Sequence, residues 1–267
     1  NFSYQKNSNS IFNNINLAFI SVLLLEGIYF YNYTTPEFNV NISQLPFWAL
    51  SIYFSWHCIK SDKVSDYVFL GLVIGLGLLS KYLFLYLVIG IKLLFIYQIL
   101  KKKIKTYHLI ISGLVALLII FPHLIWLIKN NFETIIYGLQ RSGGAGTFAD
   151  HFINPLKFFF KQAIILTPFF LMLIFLTNKI KIKINFRNKK MIFLFFTCIL
   201  PLLLILLTSI AMGAKIRTMW ITPFYLILGI LFLEIFKKKI NIRKIKKFYM
   251  VFSFFFFLSP LTYLAVS

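Results

Sequence analysis

Long apolar runs, each close to the length of a membrane-spanning helix, alternate with short basic segments along almost the whole chain. A helix that crosses the hydrocarbon layer needs about 20 mostly apolar residues. With 60% hydrophobic residues in a chain of 267, there is more apolar surface than one soluble core can bury. The sequence therefore predicts an all-α, polytopic transmembrane bundle, with residues 1–267 forming a single transmembrane domain. The nine predicted spans are 15–33, 44–60, 67–79, 82–100, 107–128, 155–177, 191–212, 218–236 and 248–266.

The distribution of lysine and arginine predicts the orientation of these spans, because basic residues in short loops are retained on the cytoplasmic side. Every second connection is strongly basic, and we place all four of these on the cytoplasmic face, in contact with anionic membrane lipids. The other connections then lie on the opposite face, among them the long segment 129–154, which we predict to be a functional external loop. The basic connections are 60–63, 101–105, 179–190 and 237–247; the others are 34–43, 80–81, 129–154 and 213–217.

Several classes of protein are excluded by the same composition. The net charge of +21 does not indicate a nucleic-acid partner, because the basic residues lie between apolar runs and do not cover a polar face. Nucleotide-binding, zinc-protease and serine-hydrolase motifs are absent, and the four histidines are scattered, so we predict no cofactor and no metal site. Cys58 and Cys198 lie in separate apolar runs, which indicates packing residues.

Charged residues in the predicted external connections are the candidates for chemistry. Lys81 lies between two apolar runs, and Lys215 and Arg217 lie where the orientation rule does not require cations. These three side chains suit a lipid-linked phosphate, although snorkelling to the interface is the alternative for Lys81. Glu37 precedes a predicted helix, where a carboxylate also complements the helix dipole. The long loop adds possible acceptor-side groups, which a solvated loop explains equally well: Arg141, Asp150 and His151.

Four segments carry a resemblance to a known family. They read TTPEFNVNISQLPFWAL, GLGLLSKYLFLYLV, FPHLIWLIKNNFETIIYGLQR and KIRTMWITPFYLILGILF. In this order and spacing, over residues 15–236, they resemble the glycosyltransferase family 39 branch of the C-type membrane glycosyltransferases. That branch includes the protein O-mannosyltransferases and the aminoarabinose transferases of lipid A.

The resemblance implies transfer of a sugar from a polyprenyl-phosphate carrier to a lipid, glycan or protein acceptor. It implies an active site on the periplasmic face of a bacterial inner membrane. Lys81 matches the family's lysine, Lys215 and Arg217 match its later basic region, and Glu37 matches a second, assisting acid. The family's principal acid lies in an earlier external loop, which we expect in an amino-terminal part missing from this chain. A transporter or lipid flippase, or an inactive fragment, is the alternative to an enzyme.

Overall fold

The structure is a computed structural model that describes residues 15–33, 38–144, 146–177, 185–237, 240 and 244–266. Across these ranges the regular structure is helical, with an isolated antiparallel bridge between Thr177 and Ile240, so the predicted all-α fold is confirmed. The chain divides into two compact units, and the single transmembrane domain over 1–267 stays a prediction. Unit 1 comprises 1–37, 164–194 and 227–267, and unit 2 comprises 38–163 and 195–226.

The described residues form the following helices in chain order. The α-helices are α1 (Ile15–Leu23), α2 (Val40–Ser43), α3 (Leu45–Ser61), α4 (Val64–Ser80), α5 (Leu85–Leu100), α6 (Thr106–Lys129), α7 (Glu133–Ser142), α8 (Asp150–Ile165), α9 (Thr167–Leu176), α10 (Lys189–Leu194), α11 (Leu200–Met212), α12 (Leu228–Phe236) and α13 (Ile245–Val266). Short 3₁₀-helices cover Leu24–Gly27, Tyr82–Phe84 and Thr218–Tyr225, and a π-helical turn, Phe195–Ile199, joins α10 to α11.

The number of candidate membrane spans among the described residues is four, or up to six if each bent helix pair is one span. The nine predicted spans are therefore not confirmed. Helices α3 and α4 have only 17 residues each, and α1 with its 3₁₀ extension ends at Gly27, short of the length that a 30 Å layer needs. The four spans are Tyr82–Leu100, Thr106–Lys129, Lys189–Met212 and Ile245–Ala265, and the bent pairs are α8 with α9 and Thr218–Tyr225 with α12.

Proline lies beside both interruptions. Pro168 lies in the first turn of α9, and Pro223 lies inside the 3₁₀-helix Thr218–Tyr225. Proline has no backbone N–H and clashes with the preceding turn, so it interrupts a regular helix. The predicted spans 155–177 and 218–236 are consequently broken.

The segment 129–154, predicted as an external loop, is largely helical. It contains α7, which has no buried residue, and the first turn of α8. Ile135, Ile136 and Leu139 lie on one side of α7 among polar residues, a spacing typical of a short amphipathic helix. Gly143, with a left-handed φ of 61°, ends this helix and leaves only a short connection to α8.

Glycine residues allow α4 to approach α6 closely. A Cβ added at Gly71 would overlap the carbonyl oxygen of Ser112 and lie 2.9 Å from the Cβ of Val115. A Cβ at Gly75 would lie 2.6 Å from the Cβ of Ile119. Small residues at this spacing are the usual means of close helix packing in membranes.

A buried hydrogen-bonded group joins two of the basic connections. Asp62 ends α3 in a left-handed conformation, with φ of 48°. Its Oδ1 lies 2.8 Å from Nδ1 of the buried His108 and accepts a hydrogen bond of 2.9 Å from the hydroxyl of Tyr67. The connection 60–63 therefore lies beside the first turn of α6, which directly follows the connection 101–105, at one end of unit 2.

Unit 1 uses the same kind of close contact. A Cβ at Gly27 would lie 2.7 Å from the backbone of Phe169 in α9, and one at Gly229 would overlap the carbonyl oxygen of Ser21 in α1. These two positions let α1, α9 and α12 pack within the unit.

Replacement of Gly71 by alanine should destabilise the protein by about 1–3 kcal/mol, because the added methyl overpacks the α4–α6 contact. Gly113 is a matched control in α6, since nothing lies within 4 Å of a Cβ there. Gly113→Ala should leave the stability unchanged or raise it by up to about 1 kcal/mol. Thermal unfolding in detergent measures both, and equal melting temperatures for the two variants would contradict the assigned contact.

Candidate functional site at one end of unit 2

The backbone of segment 213–217 is held at both its beginning and its middle. Gly213 ends α11 in the left-handed region, with φ of 61°, and its carbonyl oxygen accepts a hydrogen bond of 2.8 Å from the buried side chain of Asn154. The backbone N–H of Lys215 donates to the carbonyl oxygen of Ser142, also at 2.8 Å. The start of α8 and the end of α7 thus fix the segment that carries the predicted phosphate-binding cations.

A cavity of about 540 Å³ lies beside this segment. Segment 213–217, α7 and α8 each contribute basic side chains to its walls, and all five of these are exposed to solvent. None forms an ion pair with a carboxylate among the residues that the structure describes. The five are Arg141, Lys157, Lys161, Lys215 and Arg217. An open cavity lined by unpaired cations is suited to bind an anion.

Lys81 lies next to the same segment but outside the lining of the cavity. Its extended backbone interrupts the helical path between α4 and α5. The interruption lies where the sequence predicts a break between two apolar runs. Its Nζ donates a hydrogen bond to Oδ1 of the buried Asn41 and lies 5.4 Å from the centroid of the Trp220 ring. Trp220 follows directly on two residues that line the cavity, Thr218 and Met219.

The surroundings of Lys81 disfavour its charged form. Burial, and then the positive charge of Arg141, lower the pKa of the Lys81 ammonium to about 8. No carboxylate among the described residues pairs with this group. A bound phosphate would supply the missing counter-charge.

A second set of hydrogen bonds brings the connection at 80–82 to the segment 129–154. The hydroxyl of Tyr82 lies 2.7 Å from Nε2 of His123, near the end of α6, and 2.7 Å from Oγ1 of Thr134, in α7. Together with the contacts of Lys81 and Lys215, these bonds bring parts of all four connections predicted on one face to the same end of unit 2. Which side of the membrane this end faces stays a prediction.

The predicted acceptor-side residues have different surroundings. Arg141 lines the cavity and donates a hydrogen bond to the hydroxyl of Tyr137. Oδ2 of Asp150 accepts hydrogen bonds from the backbone of Gly146 at 2.9 Å and of Thr147 at 2.8 Å, which shape the turn before α8. Nδ1 of His151 donates to a carbonyl oxygen of α11 at 2.7 Å. Asp150 and His151 therefore have structural contacts of their own, and Glu37 lies outside the described residues.

Lys157 and Lys161 are functional candidates that the sequence analysis did not include. They are four residues apart on α8, so they lie on one face of the helix, with the buried Asn154 and Phe158 beside them. Their spacing is visible in the sequence, but it gives no sign that this face of the helix lines a cavity. Asn41 was also missed, because an asparagine in a connection gives no signal of the lysine that it binds.

Comparison with known proteins identifies one family. The family model described as dolichyl-phosphate-mannose-protein mannosyltransferase matches residues 8–126. Residues 8–126, less than half of the chain, are similar to this family. The match confirms the predicted resemblance over that range and supports a membrane glycosyltransferase of the mannosyltransferase type. Comparisons with curated proteins and with solved structures found no significant match.

The matched range contains Lys81, Asn41 and Tyr82, whereas the cavity residues lie beyond it. The family match and the cavity are therefore separate observations. They concern the same end of unit 2, because Lys81 lies over Trp220 and Tyr82 bonds to α7.

Proposed function

We propose that this protein transfers a sugar from a polyprenyl-phosphate carrier to a hydroxyl of a lipid, glycan or protein acceptor. The reaction takes place on the periplasmic face of a bacterial inner membrane. The observation that supports this proposal is the group of cations at one end of unit 2, which form no ion pair with a carboxylate in the described part of the chain, together with the match of residues 8–126 to a mannosyltransferase family. A phosphate-linked donor needs cations there, and a nucleotide-binding fold is not required.

The donor phosphate is bound by Lys81, Lys215 and Arg217 in this proposal. Lys215 and Arg217 are two residues apart in a non-helical segment, and both side chains line the cavity. Lys81 lies in the connection between α4 and α5, and its Nζ donates a hydrogen bond to Oδ1 of Asn41. Ammonium and guanidinium groups bind phosphate oxygens through charge-assisted hydrogen bonds, the guanidinium with two parallel bonds.

The reaction is an inverting displacement at the anomeric carbon. The acceptor hydroxyl oxygen forms a bond to that carbon, while the bond from carbon to the phosphate oxygen breaks and the phosphate leaves with the electron pair. A carboxylate accepts the hydroxyl proton, and the three cations stabilise the negative charge that develops on the leaving phosphate. The family resemblance assigns Glu37 an assisting role in this proton transfer. Arg141, Asp150 and His151 are placed on the acceptor side.

Arg217→Lys should lower turnover by about tenfold or more, equivalent to about 1.4 kcal/mol of barrier, because an ammonium cannot form two parallel hydrogen bonds to the leaving phosphate. Lys215→Arg is the matched control, since it keeps a cation in the neighbouring position of the same segment. It should alter turnover by less than about twofold. Sugar transfer from polyprenyl phosphate by the full-length protein measures both. Unchanged turnover in Arg217→Lys would show that this cation only anchors the segment at the interface.

The affinity for polyprenyl phosphate should fall by about tenfold between pH 7 and pH 9, because Lys81 loses its proton through its lowered pKa. Below a pKa of about 8 the ammonium is present and binds phosphate; above it the neutral amine contributes no charge. Lys81→Arg should remove most of this pH dependence, since arginine stays protonated, and Lys81→Ala should bind weakly at both values. Binding to protein in nanodiscs measures the change. An identical pH profile in Lys81→Arg would mean that Lys81 does not contact the phosphate.

A further inference from the structure

Lys81 is held at its backbone as well as at its side chain. Its N–H donates to the carbonyl oxygen of Gly77 at 3.3 Å, and its own carbonyl oxygen accepts from the N–H of Phe84 at 3.0 Å. The ring of Phe84 packs on Gly77, where an added Cβ would lie 2.5 Å from it. The backbone between α4 and α5 is therefore fixed, and the part that still has to be positioned is the flexible lysine side chain.

Two elements of unit 2 hold the end of that side chain. Its Nζ donates to Oδ1 of Asn41, in α2, and lies 5.4 Å from the ring centroid of Trp220, in the 3₁₀-helix Thr218–Tyr225. Helix α2 packs against this 3₁₀-helix, and Oδ1 of its N-cap residue, Asn39, accepts from the backbone N–H of Asn41 at 2.9 Å. The fold therefore places the buried amide of Asn41 next to the cation.

A neutral amide binds an ammonium without cancelling its charge. Lysine only donates hydrogen bonds, so the amide atom that faces it is the acceptor oxygen. A carboxylate in the same position would pair with the ammonium and compete with a phosphate for it. Neither α2 nor the 3₁₀-helix carries a charged residue, and the charge from the described residues that acts on Lys81 is that of a second cation, Arg141. The full charge of Lys81 is thus left for a ligand.

We propose that Asn41 is a positioning residue, whose amide oxygen holds the Lys81 ammonium toward the donor phosphate and leaves its charge for that phosphate to compensate. This inference rests on the proposed function and adds a residue to its donor site. Asn41 acts through Lys81 and need not contact the substrate. The proposed function also places the carboxylate of Glu37 at this site, outside the described residues. A neutral partner for Lys81 leaves that carboxylate free to accept a proton.

The test measures binding of polyprenyl phosphate to the protein in nanodiscs, between about pH 6 and pH 9. Asn41→Ala should weaken binding at pH 7 by about fivefold. It should also move the fall in affinity to lower pH by about half a unit or more, because the amide oxygen stabilises the ammonium and its loss lowers the pKa of Lys81 further. The titration of the phosphate itself is common to all variants and does not affect their comparison.

Asn41→Asp separates position from charge, because aspartate has nearly the same shape as asparagine but is negative. This variant should move the fall in affinity to higher pH, since a carboxylate stabilises the ammonium. It should still weaken binding at pH 7 by about tenfold, since the carboxylate competes with the phosphate. A purely structural role of Asn41 would not shift the pH profile in opposite directions in the two variants.

Ser43→Ala is the matched control, because it removes a side-chain hydrogen bond that stays within α2, to the carbonyl oxygen of Val40. It should leave the affinity within about twofold of the unmodified protein. In a Lys81→Ala background, Asn41→Ala should weaken binding no further, because the side chain that it positions is gone. Equal losses in Asn41→Ala and Ser43→Ala, or an undiminished loss in the Lys81→Ala background, would overturn the inference.

Failure of this inference differs from failure of the proposed function. If Lys81→Ala weakens binding and Asn41→Ala does not, the donor site stands and the positioning role is wrong. If Lys81→Ala leaves binding unchanged, the proposed donor site fails and the role of Asn41 fails with it. If Glu37→Gln moves the fall in affinity and Asn41→Ala does not, the partner of Lys81 is the carboxylate, and the inference is wrong.

Melting temperatures close to that of the unmodified protein show that the variants are folded. If Asn41→Ala does not fold, Asn41→Asp decides the inference, because it keeps the shape of the side chain. An unchanged pH profile in Asn41→Asp would then overturn it.

Discussion

Repulsion between neighbouring cations is the interaction on which the rest of the site depends. Five basic side chains line one cavity without an ion-pair partner among the described residues, and a sixth, Lys81, lies beside it. Side chains of like charge stay together only where the backbone leaves them no alternative or an anion compensates them. The hydrogen bonds of Asn154 and Ser142 to segment 213–217 supply the first condition. In the proposed function, a phosphate-bearing ligand supplies the second.

The two ends of unit 2 differ in how they compensate charge. At the end where α3 meets α4, Asp62 lies next to His108 and accepts from Tyr67, so the polar groups there partner one another. At the other end, Lys81 has a neutral amide and an aromatic ring as neighbours. This contrast supports the proposal that a charged ligand binds at the second end. Glu234, one of the charges within the predicted spans, is hydrogen-bonded to Asn188 and Lys237, which gives no support to the transporter alternative.

Much of the fold could be predicted from sequence because membrane helices obey simple constraints of length and polarity. The helical class and the break at Lys81 follow from the apolar runs and the polar residues between them. The number of spans could not be predicted, since hydropathy does not tell a continuous span from a bent pair or from a helix of 17 residues. Helix α7 was missed because a helix of 10 residues in a mostly polar segment gives no membrane-span signal, although its apolar residues have helical spacing.

The site could be predicted only in part, for a different physical reason. Lys81, Lys215 and Arg217 stood out because cations in external connections have no topological role. Lys157 and Lys161 did not stand out, because the other basic residues of the cavity come from a segment about 60 residues away and from α7. Sequence spacing reports neighbours on one helix, whereas the cavity is made by three elements that meet in space. Glu37, outside the described residues, stays a prediction.

The cations at this end of unit 2 are proposed to bind the phosphate of a lipid carrier. A cryo-electron microscopy structure of the full-length protein in nanodiscs with polyprenyl phosphate would test this binding. We expect phosphate density within hydrogen-bond distance of Arg217 and Lys81, with the polyprenyl chain leaving toward the lipid. Phosphate density at the opposite end, beside His108 and the connection 101–105, would contradict it.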